Sequence, residues 1–328
     1  MTNAKIISSG MYVPETIIPN SYFNELLGED VDTWLRENVQ IFNRRWCKED
    51  ESTVDLCEQA ANEALKNAGL KASDVDLLIV ATDTPEYISP STASVLQHRI
   101  GAINAGTFDL NSACAGFVTA TETATHFIRS GGIKNALVIG AYGMSKYLNK
   151  TDKKTVTLFA DGAGAVILAP TNEKNKGHQA GKLISKGEYA EWMGIYAGGT
   201  KYPLNDAVLS NKDYKLKFVK KFPPELNPQI WSGLANTLAS KMNIDITKVD
   251  QFLMTQININ AIWETLNILG VNKNKAHTIM HEYGYTGSAC IPIAFHEAWQ
   301  NKKIKEGDTL FFIGSGGGLA FAANSFIL

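Results

Sequence analysis

Three sequence markers recur in the same order at almost one spacing, and that recurrence constrains the fold more than any other feature. Val75-Asp76 opens an apolar run, Cys114 follows, and Ile139-Gly140 closes a second run. Val249-Asp250, Cys290 and Ile313-Gly314 repeat the order 174, 176 and 174 residues later. The repetition indicates an internal duplication, with two similar halves expected over residues 1–172 and 173–328. The polar stretch Pro170–Gly181 (PTNEKNKGHQAG) is the expected junction.

Within each half, strand-like and helical patterns alternate. Val75–Thr82, Ala136–Gly140, Thr157–Leu168 and Thr309–Gly314 are short apolar runs of the kind that form buried strands. Ser52–Ala68 carries Leu56, Ala60, Ala61 and Leu65 on one helical side. Such alternation predicts a layered α/β architecture. The 328 residues, 45% of them hydrophobic, supply an ample core. A net charge of −2 and a pI near 6.3 argue against a nucleic-acid partner, which usually meets a basic domain. No run approaches the roughly 18–20 apolar residues of a membrane span, and the N-terminus lacks the apolar core of a signal peptide. Cys47, Cys57, Cys114 and Cys290 show neither CxxC nor Cys/His metal spacing. Reduced thiols in a cytoplasmic protein without a metal site are therefore expected.

Ser-Ala-Cys occurs twice, ending at Cys114 and at Cys290. Cys114 follows the strand-like GTFDLNSA and precedes the helix-forming AGFVTATETATHFI. A thiol at such a turn faces the positive end of a helix dipole, which favours the nucleophilic thiolate. Ala113, Ala115 and Gly116 leave room for a substrate. Ile291-Pro292-Ile293 crowds Cys290, which reads as a packed residue of the copy. For any lone cysteine the competing reading is a buried small hydrophobe. GSGGGLA (Gly314–Ala320) is either an oxyanion-binding loop or only a tight turn between strands. It lacks the ending of a phosphate-binding loop.

Together these segments resemble the ketoacyl-acyl-carrier-protein synthase III family of thiolase-like condensing enzymes. DLNSACAGF (Asp109–Phe117) is similar to the family's nucleophile motif, FADGAGAVIL (Phe159–Leu168) to its internal strand motif, and GSGGGLAFAANSFIL to its closing segment. WLRENVQIFNRRW (Trp34–Trp46) is more loosely similar to its coenzyme A-contacting region, with Val39-Gln40 where Thr-Gly is expected. The resemblance implies two duplicated halves in a five-layered αβαβα arrangement, a homodimer, and no cofactor beyond the coenzyme A thioester substrate. It implies an acyl thioester on Cys114, an oxyanion hole from the N–H groups of Cys114 and Gly317, and Trp34 against the adenine of coenzyme A. The implied partners are an acyl-CoA and an acyl carrier protein, and the implied setting is lipid or secondary metabolism.

Two positions depart from the family. MTQININ (Met254–Asn260) has Thr255 at the histidine position, and GYTGSA (Gly284–Ala289) has Tyr285 at the asparagine position. Both carry hydroxyl donors, but neither titrates near neutral pH. Decarboxylation of a malonyl thioester is therefore in doubt, while acyl transfer to Cys114 is less affected. His281 is a candidate replacement base or a backbone-bonded loop histidine. Ser89 stands before Pro90-Ser91 where the family often has a phenylalanine. Lys215, Lys217, Lys220 and Lys221 form either a docking face for an acidic carrier protein or a solvated surface. Acyl transfer is the leading expectation, and a non-catalytic partner of an active paralogue is the alternative.

Overall fold

The computed structural model describes residues 2–328. The first half builds a five-stranded sheet from β1 (Asn3–Tyr12), β2 (Leu77–Ala81), β3 (Gly106–Leu110), β4 (Ala136–Gly143) and β5 (Asp161–Thr171), in the order β1-β5-β4-β2-β3. The second half builds a four-stranded sheet from β6 (Gly177–Ser185), β7 (Gln251–Met254), β8 (Thr309–Gly316) and β9 (Ala320–Ile327), in the order β7-β8-β9-β6. The central pairings repeat: β2 runs parallel to β4 and β7 to β8, and each central strand then pairs antiparallel with the next. Strand β3 has no full counterpart; a single parallel bridge, Phe252–Ala276, stands at its place.

Five strand residues in β2 are all buried because helices cover both faces of the sheet. Leu78 and Val80 face an outer layer with α1 (Thr53–Ala68) and α2 (Thr92–Ile100), whereas Leu77, Ile79 and Ala81 face inward. This two-sided burial is why the run reads as continuously apolar. Helix α1 begins at a capping box, in which the Asp55 carboxylate accepts from the Ser52 amide at 2.7 Å. Such a cap contributes about 1 kcal/mol. The middle layer is α3 (Gly116–Arg129) beside α6 (Cys290–Gln300), packed between the two sheets. The fifth layer contains α4 (Leu226–Met242) and α5 (Ile259–Ile268).

The halves meet around two glycines 174 residues apart. A Cβ on Gly140 of β4 would strike the Ser288 carbonyl oxygen, and one on Gly314 of β8 would stand 2.9 Å from Ala115 Cα. Each central strand thus receives the turn that opens the other half's middle helix. Two expected boundaries shift. The strand expected from Thr157 begins at Asp161, because the Asp152-capped helix Lys153–Val156 ends at Thr157. Of the expected junction, Pro170–Thr171 and Gly177–Gly181 are strand, with 172–176 between them.

Candidate active site

Cys114 lies at the centre of a short 3₁₀ turn, Ala113–Ala115, that leads from β3 into α3. The chain enters that turn through Ser112, while Ala113 adopts a left-handed φ of 45°. Asn111 Oδ1 accepts the Ala113 amide at 3.0 Å, and Ser112 O accepts the Ala115 amide at 3.1 Å. The Cys114 amide between them finds no acceptor among the described residues. Gly316, at the end of β8, presses against this turn; a Cβ there would stand 2.5 Å from Cys114 N. The glycine run is thus needed first to let the backbone meet the cysteine turn. Gly317 follows, its amide likewise without an acceptor among the described residues.

A cavity of about 240 Å³ opens over this point. Cys114, Gly317, Asp83, Asn111 and Tyr142 line it, and Met193–Tyr196 with Leu216 add an apolar wall. Two residues with unclaimed amides lining one cavity beside a thiol form an arrangement suited to a tetrahedral oxyanion. A second groove of about 340 Å³ is lined by Tyr87, Ser89, Ser91, Thr107 and Asp109 and shares Asn111 with the Cys114 cavity. Ser89 lies there, on the surface near the edge strand.

The electrostatics correct one expectation. Burial pushes the Cys114 thiol well above its ordinary range, the Asp83 charge raises it further, and a hydrogen bond with the Tyr285 hydroxyl opposes both. Desolvation thus opposes the helix terminus and works against a thiolate. Burial also pushes the Asp83 carboxyl up to about 6.

The Tyr285 hydroxyl reaches the Cys114 sulfur. Tyr285 is only 2% exposed, and its backbone is clamped by Tyr285 N to Leu158 O and Ala160 N to Tyr285 O, both 2.9 Å. Its ring packs edge-on against Phe159 at 5.3 Å. Burial and the neighbouring thiols raise its hydroxyl well above the usual range, so it acts as a donor. Thr255 is placed differently from expectation. Its Oγ1 accepts the Ser315 amide at 2.9 Å and faces Ser315 O at 3.4 Å, so strand β8 occupies the hydroxyl. Thr255 does not line the cavity.

The other expected residues lie further out. Trp34 is 53% exposed in the segment Asp32–Val39, which Asn260 holds through Asn38 O at 2.7 Å. His281 packs near Phe42 and lies outside the cavity, which removes it as a replacement base. Lys215 donates to Lys146 O at 2.7 Å, Lys217 pairs with Asp213, and Lys220 lies 4.1 Å from the Trp192 ring centroid. Those local contacts occupy three of the expected basic face's lysines; Lys221 is exposed. Asp83, Asn111 and Tyr142 were not singled out from the sequence. The signal available for Asp83 was its position just past the carboxyl end of a parallel strand, where ligands bind in open α/β sheets.

No group of three or more His, Cys, Asp or Glu residues able to hold a metal occurs among the described residues. Among those residues, no helix is long and apolar enough to cross a membrane.

Residues 108–187 match the family model for 3-oxoacyl-[acyl-carrier-protein (ACP)] synthase III, and residues 239–326 match its C-terminal counterpart. A beta-ketoacyl-[acyl-carrier-protein] synthase III of Clostridium perfringens (strain SM101 / Type A) is 38% identical over 330 residues, covering 98% of each chain. One of Clostridioides difficile (strain 630) is 34% identical over 323 residues, again covering 98% of each. The crystal structure of the Aquifex aeolicus 3-oxoacyl-[acyl-carrier-protein] synthase III superposes with a TM-score of 0.89 at 31% identity, over 99% of this chain and 100% of that one. The five-layered, duplicated arrangement is thus a thiolase-like fold.

Proposed function

Because the chain belongs to the 3-oxoacyl-[acyl-carrier-protein] synthase III family, we propose that it is an acyltransferase working through an acyl thioester on Cys114. The observation that carries this reading is the pairing of Cys114 with two unclaimed amides, its own and that of Gly317, at one cavity. The Cys114 sulfur attacks the carbonyl of an acyl-CoA or acyl-carrier-protein thioester. The two amides hold the developing oxyanion, and such a donor is commonly worth about 10²–10³ in rate. The carrier thiol leaves, and an acceptor then takes the acyl group from Cys114. Tyr285 donates to the sulfur whenever it carries negative charge.

Malonyl decarboxylation lacks support here. It builds charge on the malonyl thioester oxygen, and the family meets that charge with an imidazole and an amide. Thr255 is occupied by Ser315, and Tyr285 is directed to the cysteine. The acceptor is therefore proposed to be an alcohol, an amine or an unusual carbanion. Trp34 is the proposed contact for coenzyme A. The protein is proposed to act in the cytoplasm as a homodimer of two-half subunits (1–172 and 173–328), needing no cofactor, in specialised lipid or secondary metabolism. No observation favours a non-catalytic partner subunit, for which an open cysteine site has no use.

Incubation with a panel of acyl-CoA thioesters, followed by intact-mass measurement, tests the reading. A single acyl adduct on the native chain and none on Cys114→Ala is expected; no adduct with any donor sinks it. Addition of malonyl-carrier protein is expected to give little 3-ketoacyl product.

A further inference from the structure

The cavity at Cys114 holds one carboxyl group, and no step described so far uses it. Asp83 lies just beyond β2 and lines the cavity together with Cys114 and Gly317. Its Oδ1 is sealed from solvent and has no hydrogen-bond partner. A buried unpartnered carboxylate oxygen costs a few kcal/mol, so an unexplained one in a native structure demands a role. The residues on either side hold it rigidly. Thr82 Oγ1 accepts the Thr84 amide at 3.0 Å, Thr84 Oγ1 accepts the Gly143 amide at 2.8 Å, and Thr53 Oγ1 donates to Thr84 O at 2.7 Å. The side chain is thus presented to the cavity by a braced segment, the condition for accurate proton transfer.

We propose that Asp83 is the catalytic acid–base residue of this site, exchanging a proton with Cys114 and with the groups that leave and enter there. The proposal rests on the acyl-enzyme reading above. Of the titratable groups that feel the Asp83 charge, the Cys114 thiol and the Tyr142 hydroxyl on β4 share its cavity, and the Tyr147 hydroxyl lies in the following turn outside it. No ion pair to Asp83 forms among the described residues, and no histidine lines the cavity. Among the lining groups, only this carboxyl changes charge between pH 5 and 8, because its burial places it at about 6.

The proton balance closes. In acylation the Cys114 S–H proton passes to the Asp83 carboxylate as the Cys114 S–C bond forms. When the carbon–sulfur bond to the carrier breaks, the Asp83 carboxyl protonates the departing thiolate. In the second half-reaction Asp83 takes the proton of an acceptor O–H or N–H as the new C–O or C–N bond forms. It then returns that proton to Cys114 sulfur as the acyl–sulfur bond breaks. A carboxylate and a thiolate lining one cavity repel, so the pair keeps one proton and the thiol is activated only as it attacks. The same charge repels a malonyl carboxylate and suits a neutral or cationic acceptor.

The test is the rate of Cys114 adduct formation, measured by rapid-quench intact mass from pH 5 to 8 with an accepted acyl-CoA. The native protein is expected to gain rate through an inflection near pH 6. Asp83→Asn is expected to fall ~10²–10³-fold and to lose the inflection, and Asp83→Glu to recover both in part. Equal rates and equal pH profiles for the native protein and Asp83→Asn overturn the proposal while leaving the acyl-enzyme intact. Absence of any adduct on the native protein overturns the acyl-enzyme reading and this proposal with it. Should Asp83→Asn fail to fold, the native profile still decides: a rate flat from pH 5 to 7.5 refutes the role.

Discussion

The turns Ser112–Gly116 and Thr286–Cys290 have nearly the same backbone and opposite contents. Ala113 and Gly287 both take positive φ, 45° and 50°. Ala115 N bonds Ser112 O at 3.1 Å, and Ala289 N bonds Thr286 O at 2.9 Å. This superposition makes Ser288 the counterpart of Cys114, at an offset of 174, and Gly116 the counterpart of Cys290. The expected pairing of the two cysteines, at 176, is two residues out of register. Ser288 spends its hydroxyl on Ala141 O at 2.6 Å, while Cys114 faces a cavity. The facing strands explain the difference. At equivalent places β8 presents Gly316 and β4 presents Tyr142, whose ring fills the space beside Gly287. A helix N-terminus exists in both turns, so it alone does not make a site; the opposing strand decides whether there is room for a substrate.

The largest expected effect separates the two cysteines. Cys114→Ala abolishes the acyl adduct, whereas Cys290→Ala retains it and costs ~1 kcal/mol of stability, read from denaturant unfolding. Adduct loss in both would mean that the turns are not functionally distinct. Gly287→Ala should destabilise by about 3 kcal/mol, because the new Cβ would stand 2.5 Å from the Tyr142 ring. Asp83 sharpens the comparison through pH. Its folded pKa, about 6, exceeds the unfolded carboxylate value, so the folded state holds the extra proton between them. Stability from this group is complete below about pH 4 and is lost as pH rises through 6. Asp83→Asn is therefore expected to stabilise the protein by ~3 kcal/mol at pH 7.5 and to change little at pH 4. The smallest effects concern left-handed residues lacking glycine's freedom. Gln40, at φ 57° where the family has glycine, should yield ~1 kcal/mol on Gln40→Gly. Ala113→Gly should yield about half that, since the added chain freedom offsets part of the relief.

The strands, the helix starting at Ser52 and the duplication were legible because burial on both faces and the 174-residue offset are written in residue order. Motif register brought Cys114, Gly317 and Tyr285 to notice, and the fold gathers them at one end of the sheets. The surroundings of Thr255 were not legible, because its hydroxyl is satisfied by Ser315, 60 residues away, which no local pattern reports. The burial of the thiol was not legible for a related reason: a helix terminus is a local feature, whereas desolvation depends on everything packed around it.

By itself, then, the sequence determined two α/β halves, the cysteine turn and the glycine run that meets it. The tertiary structure alone decided which turn is open, that burial works against the thiolate, and that Asp83 shares its cavity. Volume and dielectric at a point are set by residues far apart in the chain, such as Tyr142 against Gly287 and Asp83 beside Cys114. Those quantities exist only once the two sheets have closed over the helices between them.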